Sequence, residues 1–289
     1  MIDCKLITLD LDGTLLEADG KSVSAENKKA LKEASLKGIK IVVATGRGFD
    51  SLPSSVKDAE LFDYAITSNG AAVYDFRKGL VILRNLLDAD VVRQYVAEAD
   101  HFLGMPHKVD ALNRCLDYEV FVDGRAYAQR DNLEAIKVRL KDPWAVEYVT
   151  ATRNPVEDIH GFILDHIEEI DGFCYTFYDQ EVKKKLFMHL KEKLTGAMVV
   201  DSTSRMLEVE AVTCSKWHAI ESLCEKLNIS PEDTMVFGDG NNDLDMVMHA
   251  GLGVAMDNAC EALKEASGYV TKKNTEAGVA EALKALSVL

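Results

Sequence analysis

No stretch of this chain approaches the roughly 18 consecutive apolar residues that a membrane-spanning helix requires. Its six cysteines (Cys4, Cys115, Cys174, Cys214, Cys224 and Cys260) are scattered and form no Cys-x-x-Cys pair. That spacing argues against a zinc site and against a disulfide framework, and it fits a reducing cytosol. Met1–Lys5 carry no signal-peptide pattern and lead straight into an apolar strand pattern, so a cytoplasmic location is expected. Positive charge is also scarce: 33 Lys and Arg stand against 48 Asp and Glu, for a formal net charge of −15. Such a surface disfavours nucleic acid and anionic membranes as partners. A small anionic substrate stays open only if its site supplies local positive charge. Internal repeats and low-complexity tracts are missing too.

What is present is a chain of 289 residues, 47% hydrophobic and 28% charged, the make-up of an ordinary globular protein of one or two domains. Leu6–Leu9 is a short apolar run ending in Asp10-Leu11-Asp12-Gly13-Thr14, which reads as a buried strand of a parallel sheet. Ser24 is placed to cap a helix whose apolar face is Leu31, Ala34 and Leu36, and Gly38 stops it. A second apolar run, 39–44, makes residues 6–44 a βαβ unit and implies a parallel sheet. It ends in Thr45-Gly46-Arg47, as a third strand, 64–67, ends in Ser68-Asn69-Gly70; residues 71–75 look like one arm of a hairpin.

From about Leu83 the pattern changes to helices (90–99, 132–140, 180–194), a strand-like 159–164, and alternating segments around Asp123-Gly124, a strong hairpin signal. The fold class read from this is α/β: a Rossmann-like parallel core, residues 1–82 and 196–289, with an inserted α+β domain, residues 83–195. The core pattern resumes from about Met206, with a helix from Ser215, a strand at 234–237, a helix at 244–249, short strands at 252–256 and 269–271, and a helix at 276–286.

In an open parallel sheet ligands bind beyond the carboxyl ends of the strands, and four such ends carry polar residues here. Asp10 and Asp12 lie two apart and point the same way on an extended chain. Like charges held together need a cation or a shared proton. With Asp239, in Gly238-Asp239-Gly240-Asn241-Asn242-Asp243, they form an oxygen-only set that suits Mg²⁺. Thr45 and Gly46 offer a hydroxyl and an unhindered N–H at a strand-to-helix turn, and Lys216, near a helix start, offers a point charge. Donors and a cation around one anion are what phosphoryl transfer asks for. Arg47 divides between structural pairing and substrate contact, and Asn69 between a turn residue and a functional one. His101/His107 and His160/His166 lack helical metal spacing and read as ordinary histidines; Lys183-Lys184-Lys185 reads as a solvated helix face.

These residues, in this order, resemble the haloacid dehalogenase superfamily, specifically its Cof-type (subfamily IIB) phosphatases with an α/β C2-type cap. The matching stretches are Asp10-Leu11-Asp12-Gly13-Thr14, Thr45-Gly46-Arg47, Ser68-Asn69-Gly70, Ser215-Lys216 and Gly238 to Asp243, and they span nearly the whole chain. The resemblance implies that Asp10 is the nucleophile that becomes an aspartyl phosphate and Asp12 the general acid and base. It implies a Mg²⁺ site at Asp10, the Asp12 carbonyl and Asp239, with Asp243 acting through water. Phosphate contacts would come from Leu11, Thr45, Gly46, Lys216 and Asn242, and the substrate would be a small phosphorylated metabolite such as a sugar phosphate or phosphorylated cofactor. Trp217 and Asp257 depart from the family pattern, which commonly has glycine at both places. Only 34 residues separate Asp10 from Thr45, so the insert 83–195 is the expected cap. A phosphomutase of the same superfamily would release no free phosphate; a non-enzymatic phospho-acceptor switch would not turn over, and the insert speaks against one.

Overall fold

In the computed structural model of the chain, residues 3–57, 61–103 and 116–289 are described. The five described cysteines are free, while His107 and Cys115 lie outside the described residues. The chain divides into two compact units, residues 1–84 with 214–289, and residues 85–213.

The first unit opens with β1 (Leu6–Leu9), α1 (Ala25–Leu36), β2 (Lys40–Ala44), α2 (Ser54–Lys57), β3 (Tyr64–Thr67), β4 (Ala72–Asp75) and β5 (Leu80–Arg84). Helix α1 begins where expected: the Ser24 side chain accepts from Asn27 N at 3.1 Å. Its inner face is Ala30, Leu31 and Ala34, whereas Leu36, expected on that face, is 80% exposed because two residues on from Ala34 a helix has turned to its opposite side.

The second unit carries α3 (Ala89–Leu103), β6 (Leu116–Val122), β7 (Arg125–Gln129), α4 (Arg130–Arg139), α5 (Pro143–Thr152), β8 (Arg153–Val156), α6 (Ile159–Asp165), β9 (Ile170–Phe177), α7 (Gln180–Lys193), β10 (Ala197–Thr203) and β11 (Met206–Ala211). Its six strands run β10-β11-β9-β6-β7-β8, antiparallel except for β7–β8. Asp123, at φ 54°, and Gly124 form the expected tight turn of the β6–β7 hairpin. Tyr95 of α3 stacks on Phe173 of β9 with centroids 3.9 Å apart, part of an aromatic core that also holds Tyr175.

Two expectations change here. Residues 159–164 are helical, not strand-like: Asp158 caps α6 by accepting from Gly161 N at 3.1 Å. The boundary of the insert also moves from 195 to 213, since β10 and β11 pair with each other and β11 with β9 rather than rejoining the parallel sheet.

The chain then returns to the first unit with α8 (Lys216–Leu227), β12 (Thr234–Gly238), α9 (Leu244–His249), β13 (Leu252–Ala255), α10 (Glu261–Ala266), β14 (Tyr269–Val270) and α11 (Gly278–Ala285). Its eight strands run β14-β13-β12-β1-β2-β3-β4-β5, parallel from β14 through β3 and antiparallel beyond. The central strands β1, β2 and β12 are covered on both faces, so they are mostly apolar. Ile7, Leu9, Ile41 and Val43 pack toward Leu31, Val279 and Leu283 on one side. Leu6, Val42, Ala44 and Val236 pack toward Trp217, Ile220, Leu223 and Met246 on the other. Trp217 is thus a core residue, as is Met246, while Met248 is 60% exposed. Strand β1 lies centrally, with β2 on one side and β12 on the other, which makes its carboxyl end the topological switch point of the sheet.

Candidate active site

Asp10 is the first residue past β1, and its N–H donates to Phe237 O of β12 at 3.0 Å. The chain then makes one wide turn, closed by Leu15 N to Asp10 O (3.2 Å) and Leu16 N to Leu11 O (2.9 Å). Such widened turns recur at functional sites. Gly13 takes φ +81° in it, and a Cβ there would lie 2.2 Å from Asp239 Oδ2, so only glycine allows the two loops to meet. Beyond the turn, a bridge between Leu16 and Val23 closes a small hairpin with Gly20 near its tip.

Lys216 begins α8, whose cap Ser215 accepts from His218 N at 3.1 Å. Its ammonium is fully buried and donates to Asp10 Oδ1 at 2.7 Å and to Asp243 Oδ1 at 2.6 Å. Asp243 Oδ2 in turn accepts from Asp239 N and Gly240 N, both at 2.9 Å. Asp243 therefore spends both oxygens on holding the loop and the lysine. Asp10 Oδ1 takes the lysine and Asp239 Oδ1 takes the Thr14 hydroxyl at 2.9 Å, which leaves the second oxygen of each. One carboxylate oxygen from each of Asp10, Asp239 and Asp243 lies within 4.8 Å of the others.

The electrostatics follow from this crowding. Burial pushes the Asp10 carboxyl well up, Lys216 opposes that, and Asp243 and Asp239 add to it. Burial also pushes Asp239 up to about 6, against the Thr14 hydrogen bond. Burial alone would lower the Lys216 pKa, but Asp10 and Asp243 outweigh it and hold it above the ordinary lysine value. Asp10 and Asp239, both raised chiefly by burial, stand with Asp243 in an oxygen-only donor set that fits a hard divalent cation.

Asp12 is the half-exposed member. Arg47, 10% exposed, donates to it through Nε at 2.7 Å and through a terminal nitrogen at 2.5 Å. The same terminal nitrogen reaches Gly20 O at 3.0 Å. Arg47 is thus a structural partner of Asp12, one of the two roles the sequence left open.

On the anion side, Thr45 is buried; its hydroxyl accepts from Arg47 N at 3.1 Å and its carbonyl from Asn69 N at 3.0 Å. Asn69 sits with φ +52°, left-handed for a non-glycine residue, with its Oδ1 3.1 Å from where a Gly46 Cβ would stand. Asn242 Nδ2 donates to that same oxygen at 3.3 Å. Gly46, Asn69 and Asn242 therefore meet, and Asn69 is more than a turn residue. Leu11 is buried beside Asp10, and the register Leu9↔Val43 sets the ends of β1 and β2 at one edge.

Thr14, Asn258 and Asn274 also hold the site together, though the sequence does not mark them as doing so. Thr14 lay inside a recognised motif; the asparagines hold backbone carbonyls, which leaves no periodicity or charge signal. Elsewhere, Lys183 is buried against Asp201 at 2.6 Å, not solvated, while Lys184 and Lys185 are exposed. His166 Nδ1 lies 2.9 Å from Phe162 O, an ordinary satisfied histidine.

A carboxylate at the switch point of a doubly wound sheet, held by a buried lysine and close to donors on neighbouring loops, is an arrangement suited to chemistry at a phosphoryl group. The chain belongs to the haloacid dehalogenase-like hydrolases, whose family model matches residues 7–283. It is 30% identical over 283 residues to the 5-amino-6-(5-phospho-D-ribitylamino)uracil phosphatase YcsE of Bacillus subtilis (strain 168), covering 98% of this chain and 96% of that one. Among solved structures it is similar to the phosphatase BT1666 of Bacteroides thetaiotaomicron, with a TM-score of 0.78 at 28% identity, covering 99% and 96%. It also shares the fold of the subclass IIB sugar phosphatase BT4131, with a TM-score of 0.76 at 24% identity, covering 99% and 100%. Among the described residues no helix is long and apolar enough to cross a membrane.

Proposed function

We propose that the chain hydrolyses the monoester of a small phosphorylated metabolite, a sugar phosphate or phosphorylated cofactor precursor, in two steps at Asp10. The observation that carries this is the buried Lys216, which fixes the Asp10 carboxylate at the switch point. In the first step an Asp10 carboxylate oxygen bonds to phosphorus, the ester P–O bond breaks, and Asp12 gives its proton to the departing alcohol. In the second, Asp12 takes a proton from water, the water oxygen bonds to phosphorus, and the P–O bond to Asp10 breaks to release phosphate. Lys216, Thr45, Gly46, Asn242 and the Leu11 backbone hold the phosphoryl oxygens.

Asp10, the Asp12 carbonyl and Asp239 would hold Mg²⁺, with Asp243 in support through water. Bound there, the cation neutralises charge on the transferred group. The oxygens of Asp10 and Asp239 left over by their hydrogen bonds support this assignment, as does the close grouping of Asp243 with them. Arg47 would position Asp12. The unit 85–213 is read as the specificity cap. Relatives named for a ribitylaminouracil phosphate and for sugar phosphates support substrates with a polyol or sugar phosphate. The free cysteines support a reducing cytosol.

The test is release of inorganic phosphate from a panel of phosphorylated sugars and cofactor precursors, with and without Mg²⁺. Asp10→Asn is expected to abolish release. Isomerised hexose phosphate without free phosphate would instead mark a phosphomutase. Substantial Mg²⁺-dependent activity in Asp10→Asn would remove the covalent mechanism.

A further inference from the structure

The segment after β13 touches both halves of the acidic cluster without contributing a charge to it. Met256 N donates to Gly238 O and Cys260 N to Asp239 O, both at 3.0 Å, so residues 256–260 are bonded along the loop that carries Asp239. Between them, Asn258 turns the other way: its Nδ2 donates to Gly13 O, in the turn after Asp10, at 2.7 Å. Asn258 Oδ1 accepts from Asn274 N at 3.1 Å, and Asn274 Nδ2 donates to Leu16 O at 2.8 Å. The orientation of the Asn258 amide follows from the network: the oxygen must face the Asn274 N–H and the nitrogen the Gly13 carbonyl.

These bonds take hold of the Asp10 turn at two places. Its inward side is closed by its own wide hydrogen bonds and by Thr14 on Asp239. Its outward carbonyls, Gly13 and Leu16, are the ones the asparagines hold. Asn258 and Asp239 also share one stretch of backbone contacts, so shifting either loop stretches the same set of bonds. We propose that Asn258 and Asn274 are positioning residues for the reaction: they set the register of the Asp10–Asp12 turn against the Asp239 loop. They touch no reacting atom. Their effect reaches the chemistry through Gly13 and Thr14, because near-attack geometry tolerates little displacement of a nucleophile. The inference rests on the two-carboxylate reading of the site for its consequence in activity, but not for its consequence in structure.

Both residues can be tested in the whole chain. Asn258 is exposed and Asn274 partly so, and their removal takes nothing from either apolar core. In Asn258→Ala and Asn274→Ala without metal, hydrogen exchange of the Leu15 and Leu16 amides is expected to rise about tenfold while the β1, β2 and β12 amides keep their protection. With a chromogenic phosphate ester, kcat is expected to fall roughly 10- to 100-fold with KM within about threefold, the pattern of a lost transition-state arrangement rather than lost binding. The double variant should lose little more than either single one, because the two side chains act as one bonded unit. Unchanged exchange at Leu15 and Leu16 would overturn the proposal. So would exchange rising equally through the core sheet, which would mark a scaffold role, or a wild-type kcat in both single variants. An active Asp10→Asn would instead overturn the two-carboxylate chemistry and leave the exchange result to judge the clamp.

Discussion

At the scale of single residues, the site works by committing atoms. Asp243 gives both oxygens to Lys216 and the Asp239 loop, so its substitution should act through those neighbours. Arg47 holds Asp12 with a forked pair of bonds while joined to Gly20 O, which ties Asp12 to the hairpin beyond the turn. Arg47→Met is expected to lower kcat about 100-fold, the lower end of the roughly 10²–10⁴ that acid–base catalysis is typically worth. The loss should be larger for esters with poor leaving groups, measured by comparing an aryl with an alkyl phosphate. Gly13→Ala is the sharper test of geometry. A Cβ at φ +81° and 2.2 Å from Asp239 Oδ2 must displace that carboxylate, so Mg²⁺-dependent turnover should be lost while the circular dichroism spectrum stays that of the parent. Asp10, Asp12 and Asp239 stand out in the sequence as carboxylates at the ends of apolar strands, and Lys216 as a cation at a helix start. Asn258 and Asn274 do not, because an amide that holds a backbone carbonyl leaves no mark in composition or spacing.

At the scale of elements, α8 matters through its first turn. Ser215 caps it, accepting from His218 N and donating to Asp245 Oδ2 at 2.8 Å, and the next residue is the buried lysine. Ser215→Ala is expected to cost about 1 kcal/mol in denaturant unfolding of the unit. Fraying at that end should loosen Lys216 and raise KM for the phosphate ester. Gly70, at φ +115°, lets the end of β3 approach α8: a Cβ there would lie 2.3 Å from Ser215 O. The parallel strands were readable because burial on both faces prints a continuous apolar run. Residues 159–164 are helical where their sequence looks strand-like, because a short apolar run does not distinguish strand from helix; the Asp158 cap does. Strands β10 and β11 join the second sheet, not the parallel one, which their sequence does not announce: an apolar run carries no sign of which sheet it joins, and that depends on pairing with β9.

At the scale of the molecule, two units each carry their own sheet, so unfolding is expected in two calorimetric transitions rather than one. Only the transition of residues 1–84 with 214–289 should move with Mg²⁺, since that unit carries the acidic cluster. The sign with pH follows from Asp239, whose pKa is raised from 3.8 to about 6. A carboxyl raised in the folded state stabilises it fully below the ordinary value, and that contribution is lost as pH rises through about 6. A cation needs the ionised form, so its stabilisation should be small near about pH 5 and large near about pH 7.5. The net charge of −15 sets the background against which the buried Lys216 must offer a local positive pole. The central claim, covalent phosphoryl transfer to Asp10, is tested most directly by mass spectrometry of enzyme quenched during turnover of a phosphate ester with Mg²⁺. The account predicts a phosphoryl group on the peptide containing Asp10 and none in Asp10→Asn. Steady turnover with no adduct, or an adduct on any other residue, would contradict it.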